Sequence, residues 1–182
     1  MTGKSAARRA IVVIDMQNDF VTGALGSAEA VKATRAIREA LERNAAQDSP
    51  ADIFFTQDTH GEDYLQTQEG RRLPVPHCIR GTPGWEIVPE LRPFADPART
   101  VCKPSFGSLE LPGLLKGYSE VTLTGVCTDI CVVSNALLLK AFLPEATVKA
   151  ASALCAGTTP ENHRSALSTM RSCQVEITEG IG

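Results

Sequence analysis

The sequence predicts a three-layer, Rossmann-like α/β fold, in which an open and mostly parallel six-stranded sheet carries helices on both faces. Short apolar runs rich in β-branched residues alternate with amphipathic segments along the chain. This alternation is typical of β-α-β units with right-handed crossovers. A length of 182 residues with 43% hydrophobic content suits one compact core. We therefore expect a single domain over residues 1–182.

The composition argues against several classes of partner. A net charge of -3, without a basic cluster interleaved with aromatic residues, argues against nucleic acid. The apolar run after the basic N-terminus is too short for a signal peptide, and no segment is long enough to span a bilayer. The six cysteines include no Cys-x-x-Cys pair, which favours a reducing compartment. We expect a cytoplasmic homo-oligomer without nucleic-acid or membrane partners, in which Cys102, Cys155 and Cys173 are packing residues.

The first predicted strand, residues 10–14, is a continuous apolar run and ends at Asp15. Such a run is typical of a strand buried on both faces. Because ligands of open parallel sheets bind beyond the carboxyl ends of the strands, Asp15 is a candidate general base. The alternative is an Asx-turn residue. Residues 28–46 then show the apolar periodicity of a crossover helix.

A second short strand, residues 53–56, precedes a long loop over residues 61–83. A loop of that length inside a compact domain is usually functional or disordered. Two histidines and two carboxylates flank or occupy it: Asp58, His60, Glu69 and His77. Imidazole and carboxylate ligands suit zinc or another first-row divalent ion, whereas the alternative is two unrelated loop histidines. The third histidine, His163, is interpreted as a helix-surface residue.

A third strand, residues 100–103, ends in Lys103. A lysine is by default a solvated surface charge. At the edge that Asp15 also occupies, however, its ammonium group could stabilise a thiolate.

Cys131 lies on the first turn of the helix predicted for residues 128–143, after a strand at 121–124 and a glycine break. The helix N-terminus favours negative charge and so inclines this thiol toward thiolate, and Thr128 or Asp129 could cap the helix. The alternative is a buried cysteine that serves only as a small hydrophobe. Leu137, Leu138 and Ala141 are predicted to continue the apolar face. The last elements are a strand at 147–151, a helix at 160–172 and a strand at 174–178.

The motifs around these residues resemble those of the isochorismatase-like cysteine hydrolases. The similar segments are Asp15-Met-Gln-Asn-Asp-Phe20, Lys103 after a strand, and Gly125-Val-Cys-Thr-Asp-Ile-Cys131-Val. The resemblance covers nearly the whole chain and implies a catalytic triad of Asp15, Lys103 and Cys131. It also implies a non-proline cis peptide between Val126 and Cys127, and an oxyanion site formed by the backbone N–H groups of Cys127 and Cys131.

Within that family, the metal loop resembles the nicotinamidase branch. Asp58-Thr-His60 and the later Pro76-His77-Cys78-Ile-Arg-Gly-Thr-Pro-Gly84 carry this resemblance. It implies one divalent ion, zinc first and manganese or iron as alternatives, held by Asp58, His60 and His77 with Glu69 as a further ligand. The ion would meet the substrate's pyridine nitrogen.

The resemblance therefore implies an amidohydrolase that converts nicotinamide to nicotinate and ammonia through an acyl thioester. Nicotinamidases commonly have an aromatic residue before the Pro-His pair, whereas this chain has Leu73. We expect Phe20, Phe106 and Leu73 to contact the substrate. The alternatives are a cysteine amidase of the same family acting on an N-carbamoyl or ureido compound, and a non-catalytic thiol or metal protein.

Overall fold

The computed structural model describes residues 8–181 and contains one parallel sheet. Its strands are β1 (Arg9–Ile14), β2 (Asp52–Asp58), β3 (Thr100–Lys103), β4 (Glu120–Val126), β5 (Thr147–Ala156) and β6 (Glu176–Thr178). All six pair in parallel, in the order β3-β2-β1-β4-β5-β6. The predicted fold class is therefore confirmed. The basic segment at residues 1–7 lies outside the described residues.

Three longer helices cover the two faces of the sheet. They are α1 (Ala28–Ala45), α2 (Val133–Phe142) and α3 (Pro160–Ser172). Helix α1 begins where the Ser27 side chain accepts a hydrogen bond from the Ala30 N–H, which satisfies one of the unpaired amides of a helix start. Its apolar face packs on one side of the sheet, and α2 and α3 contribute to the core on the other side.

Shorter helices and turns complete the chain between the strands. The short α-helices are Asn18–Val21, Gln68–Arg72 and Leu111–Leu114. The 3₁₀ turns are Tyr64–Gln66, Pro83–Trp85, Arg92–Phe94 and Pro97–Arg99. The long loop predicted after β2 therefore contains local helical structure. None of the helices within residues 8–181 is both long and apolar enough to cross a membrane.

The topology places a ligand site between β1 and β4. The chain builds the sheet toward β3 on one side of β1 and toward β6 on the other, so the carboxyl ends of β1 and β4 form a topological switch point. The two backbones are very close there, where Gly125 of β4 pairs with Ile14 of β1. Gly125 has a φ of 111°. A Cβ at Gly125 would lie 2.1 Å from the Ile14 carbonyl oxygen. Only glycine fits this position.

The helix predicted for residues 128–143 differs from the observed one. It consists of a π-helical turn, Thr128–Val132, followed by α2. Neither predicted cap forms. Thr128 Oγ1 instead lies 2.8 Å from His163 Nδ1, and Asp129 accepts a hydrogen bond from the Thr158 N–H at 2.8 Å. These tertiary partners compete with local capping. His163 is consequently half-buried rather than a surface residue.

Two further predictions about packing are wrong in part. The buried residues of α2 are Asn135, Ala136 and Leu139, rather than Leu137, Leu138 and Ala141. The reason is that the π-helical turn rotates the helix face relative to a regular α-helix that starts at residue 128. Among the cysteines predicted to pack, Cys155 is buried, Cys102 is half-buried and Cys173 is exposed. Cys173 is the residue that ends α3, where the chain turns at the surface.

Candidate active site

Asp15, Lys103 and Cys131 come from three different strand ends and meet at the switch point. Lys103 Nζ lies 2.6 Å from Asp15 Oδ2 and 3.5 Å from Cys131 Sγ. All three residues are buried. Lys103 is the last residue of β3, two strands away from β1, and its long side chain reaches across the end of β2. The three residues therefore form one buried acid, cation and thiol cluster.

The Asp15 carboxylate has one oxygen held in place and one oxygen available. Thr56 Oγ1 donates a hydrogen bond of 2.6 Å to Oδ1. Oδ2 forms the ion pair with Lys103 but, among the residues that the structure describes, accepts no aligned hydrogen bond. Asp15 itself has a φ of 50°, a conformation that non-glycine residues rarely adopt. The backbone thus directs an acceptor with spare capacity toward the thiol.

Burial and two neighbouring charges of opposite sign determine the pKa of the thiol. Burial raises the pKa of Cys131 well above its ordinary value, the Asp15 carboxylate raises it further, and the Lys103 ammonium lowers it. The expectation that Cys131 inclines toward thiolate is therefore wrong for the resting site. The reason is that full desolvation outweighs the nearby cation. Burial also raises the pKa of the neighbouring Asp15 carboxyl, whereas the Lys103 ammonium lowers it.

The π-helical turn leaves the Cys131 amide out of the first helical hydrogen bond. The Cys127 carbonyl accepts from Ile130 N and Val132 N, both at 3.1 Å, and not from Cys131 N. In a regular α-helix the amide of Cys131 would donate to that carbonyl. The peptide between Val126 and Cys127 is cis, as expected. The Cys131 N–H is therefore not bound to the Cys127 carbonyl.

Four side chains form a compact candidate metal centre beside this cluster. They are Asp58, His60, Glu69 and His77, and one ligand atom from each lies within 4.8 Å of all the others. His60 Nε2 lies 2.9 Å from Asp58 Oδ2 and 3.7 Å from Glu69 Oε1. His77 Nε2 lies 3.6 Å and 3.8 Å from the same two atoms. A tetrahedral zinc with bonds of about 2.0–2.1 Å requires ligand atoms about 3.4 Å apart. The donor set fits such an ion.

Surrounding residues hold these donors in position. The Val75 carbonyl lies 2.8 Å from His77 Nδ1, which leaves Nε2 facing the other donors. Gln17 is buried and binds the backbone of Asp58 twice, accepting from its N–H at 2.7 Å and donating to its carbonyl at 2.9 Å. The centre is therefore preorganised by the side chain of Gln17, which follows β1, and by the Val75 carbonyl of the loop after β2.

The carboxyl groups of the centre differ in their protonation. Burial raises the pKa of Asp58. The hydrogen bonds of His60 and His77 and the charge of Lys103 together lower it by more, so the pKa of Asp58 is below its ordinary value. Burial, and then the negative charge of Asp58, raise the pKa of Glu69. Asp58 is consequently the permanent anion of the group, which suits a metal ligand.

A cavity of about 400 Å³ adjoins both clusters. The residues predicted to contact substrate line its wall: Phe20, Leu73 and Phe106. The Phe20 and His77 ring centres are 5.4 Å apart in an edge arrangement. Cys131, Asp58 and Glu69 also line the cavity, so that one compartment adjoins the thiol and the candidate metal ligands. A mostly apolar cavity with a few convergent polar groups is typical of a small-molecule site.

Three supporting residues had no role in the prediction from sequence: Gln17, Thr56 and Asn135, the last of which donates a hydrogen bond of 2.8 Å to the Cys131 carbonyl. A weak signal existed for Gln17, because a polar residue directly after a buried strand often contributes to a site. Thr56 and Asn135 lie inside a strand and a helix, and nothing in their local sequence marks them.

The fold and site together define a Rossmann-like α/β protein with a buried cysteine, aspartate and lysine at the switch point, beside a candidate metal centre. The chain belongs to the isochorismatase family, since the profile of the Isochorismatase domain matches residues 9–181. The predicted family is thereby confirmed.

Known proteins similar to this chain include nicotinamidases and pyrazinamidases. A nicotinamidase/pyrazinamidase of Mycobacterium tuberculosis is 29% identical, over 93% of this chain and 97% of that protein. The crystal structure of a Pyrococcus horikoshii pyrazinamidase in complex with zinc is 28% identical, with a TM-score of 0.75 over 94% of this chain and 99% of that one. A Bacillus subtilis nicotinamidase structure is 26% identical, with a TM-score of 0.79 over 94% and 99% of the two chains.

Proposed function

We propose that this protein hydrolyses nicotinamide to nicotinate and ammonia through an acyl thioester on Cys131. Its family and its nicotinamidase relatives indicate an amidohydrolase that acts on a C–N amide bond. The observation that carries the finer proposal is the shared cavity, because it brings Cys131 and the imidazole–carboxylate group to one substrate-sized compartment. The single-domain, cytoplasmic and homo-oligomeric assignments stay predictions.

In the first half of the reaction, Asp15 Oδ2 takes the proton of the Cys131 thiol while Lys103 stabilises the thiolate. The sulfur attacks the amide carbonyl carbon, and the S–C bond forms as the carbonyl oxygen becomes an oxyanion. The N–H groups of Cys127 and Cys131 bind that oxyanion. Asp15 returns the proton to the leaving nitrogen, the C–N bond breaks, and ammonia departs.

In the second half, Asp15 acts as a base again. Its carboxylate takes a proton from water, whose oxygen attacks the thioester carbon. The S–C bond then breaks, nicotinate is released, and the proton returns to the sulfur. Because Thr56 holds Oδ1, the same Oδ2 atom serves both halves.

The candidate metal centre has a separate task in this proposal. Asp58, His60 and His77 would hold one divalent ion, with zinc preferred, and Glu69 or water would complete the shell. When bound, the ion supplies a Lewis acid for the pyridine nitrogen, which orients the ring and withdraws electrons from the amide. The flat ring would lie between the apolar side chains of Phe20 and Phe106, with Leu73 at the edge.

Ammonia release from a small set of amides tests this proposal. Nicotinamide should be hydrolysed, and benzamide, which has the same shape without the ring nitrogen, should be hydrolysed much more slowly. An N-carbamoyl amino acid tests the alternative amidase. No ammonia from nicotinamide, or equal rates with benzamide, would contradict the proposal. Elemental analysis of the purified protein would identify the bound ion.

A further inference from the structure

Asn135 connects the nucleophile to the loop that follows Lys103. Its Nδ2 group donates hydrogen bonds to the Cys131 carbonyl at 2.8 Å and to the Phe106 carbonyl at 3.2 Å. Its Oδ1 atom accepts the Ser108 N–H at 2.9 Å. Two donors and one acceptor are thereby all used. The side chain is buried, so these bonds form away from water.

The loop held by Asn135 carries part of the cavity wall. Lys103 Nζ donates a hydrogen bond of 3.0 Å to the Ser105 carbonyl, and Phe106 lines the cavity. Phe106 is 44% exposed, so packing holds it less firmly than a core residue. A Cβ at Gly107 would lie 2.6 Å from Leu138 Cδ1, which shows that the loop lies directly on α2. Backbone tethers therefore fix where the Phe106 ring sits.

An asparagine is an unexpected residue at this position. It occupies the buried face of α2 beside Ala136 and Leu139, where an aliphatic residue would pack without polar atoms. Asparagine also has lower helix propensity than leucine or alanine. Within residues 8–181, its side chain bonds to the loop and to the Cys131 carbonyl. Its contacts thus point to the loop rather than to helix stability.

We propose that Asn135 is a positioning residue for substrate recognition, which acts by holding the Phe106 loop at a fixed distance from Cys131. This inference rests on the proposed function only for the identity of the amide. Asn135 is not among the residues that line the cavity, and its side-chain hydrogen bonds join backbone groups of Cys131, Phe106 and Ser108. It determines the position of the apolar wall against which an aromatic ring binds.

The test uses Asn135→Ser with Asn44→Ser as the matched control. A serine in α2 can still bond to a carbonyl one turn earlier, as Ser134 does with the Ile130 carbonyl, but it cannot reach the loop. Asn44 is also a buried helical asparagine that binds a loop through both amide atoms, at the Ala51 N–H and carbonyl. That loop precedes β2 and therefore lies at the amino ends of the parallel strands, whereas the candidate active site lies at their carboxyl ends.

Two readouts separate positioning from a merely structural role. The first is the KM for nicotinamide against kcat. The second is the phenyl ratio, which is the rate of Cys131 alkylation by N-phenyl iodoacetamide divided by the rate with iodoacetamide. Peptide mass spectrometry measures both rates at Cys131. The ratio measures recognition of an aromatic ring and does not require nicotinamide turnover. If nicotinamide is not hydrolysed, the proposed function fails and the ratio still decides this inference.

Asn135→Ser should raise KM roughly threefold to tenfold, as expected for a lost aromatic contact, with kcat within about twofold. The phenyl ratio should fall to that of Phe106→Ala, and the double variant should match Phe106→Ala alone. Asn44→Ser should leave both readouts unchanged. Wild-type values in Asn135→Ser, or multiplying effects in the double variant, would overturn the inference. Should Asn135→Ser fail to fold, Asn135→Thr, whose hydroxyl can also bond to a carbonyl one turn earlier but cannot reach the loop, gives the same comparison.

Discussion

Replacing Lys103 by methionine is the sharpest test of the proposed thiol chemistry. Its Nζ atom lies 3.5 Å from Cys131 Sγ, and two unit charges at that separation attract by about 5 kcal/mol at an effective dielectric constant of about 20. Because about 1.4 kcal/mol corresponds to a factor of ten, losing this attraction reduces the thiolate population at neutral pH by roughly three to four orders of magnitude.

The direction follows from the groups that face the sulfur. Lys103 lowers the pKa of Cys131, whereas burial and Asp15 raise it. Lys103→Met therefore raises that pKa further, and thiolate forms only at higher pH. The rate of iodoacetamide alkylation at Cys131, measured by peptide mass spectrometry between about pH 6 and pH 10, should shift to higher pH. Amide turnover at neutral pH should be lost with it.

Two controls make this result interpretable. Lys149→Met removes an equal charge from a partly exposed pair with Glu120 and should leave the alkylation profile unchanged. Lys103→Met also unpairs buried Asp15, which destabilises the fold by about 3–5 kcal/mol. Urea denaturation and circular dichroism must therefore show that the variant is folded under the assay conditions. An unchanged profile in folded Lys103→Met would refute the role of the lysine.

Three further predictions concern the nucleophile, the metal centre and the switch point. Cys131→Ala should abolish ammonia release with an unchanged circular dichroism spectrum. Cys127→Ala should keep most activity, because only the backbone N–H of residue 127 is required. The reverse pattern would exchange the roles of the two cysteines. His60→Ala, or a chelator, should remove amide turnover yet leave alkylation of the thiol at a similar rate, and parallel loss of both would contradict separate tasks. Gly125→Ala should lower the free energy of unfolding by about 3 kcal/mol or more, measured by urea denaturation, because its Cβ would lie 2.1 Å from a backbone oxygen of β1. Gly113→Ala, where a Cβ meets nothing within 4 Å, is the matched control, and equal effects would argue against this close contact.

The fold was predictable because each signal was local. Continuous apolar runs separated by helical periodicity indicated parallel strands, and the carboxyl-edge rule then placed Asp15, Lys103 and Cys131 at one edge. Neither inference required knowledge of which side chains touch. Both survive errors of several residues at the ends of elements, such as the start of α2.

The supporting contacts were not predictable because they join residues far apart in the sequence. Thr56 binds Asp15 across 41 positions, and Asn135 binds Phe106 across 29. The resting protonation of Cys131 was also missed. The sequence indicates a helix N-terminus and a cation, both of which favour thiolate, whereas burial depends on how the cavity closes around the sulfur. Desolvation is a property of the packed structure.

Asp58 contacts both the Lys103 ammonium group and the candidate metal centre, so an ion at this centre could affect the thiol through Asp58. Its Oδ1 atom lies 3.2 Å from Lys103 Nζ, and its Oδ2 atom lies 2.9 Å from His60 Nε2. An ion bound at Oδ2 would draw charge away from Lys103. The shorter ion pair of Lys103 is nevertheless the one with Asp15, which is fully buried and lies 2.6 Å away. Because Asp15 holds the ammonium group beside Cys131 whether or not Asp58 binds an ion, loss of the ion should impair substrate positioning far more than thiol reactivity.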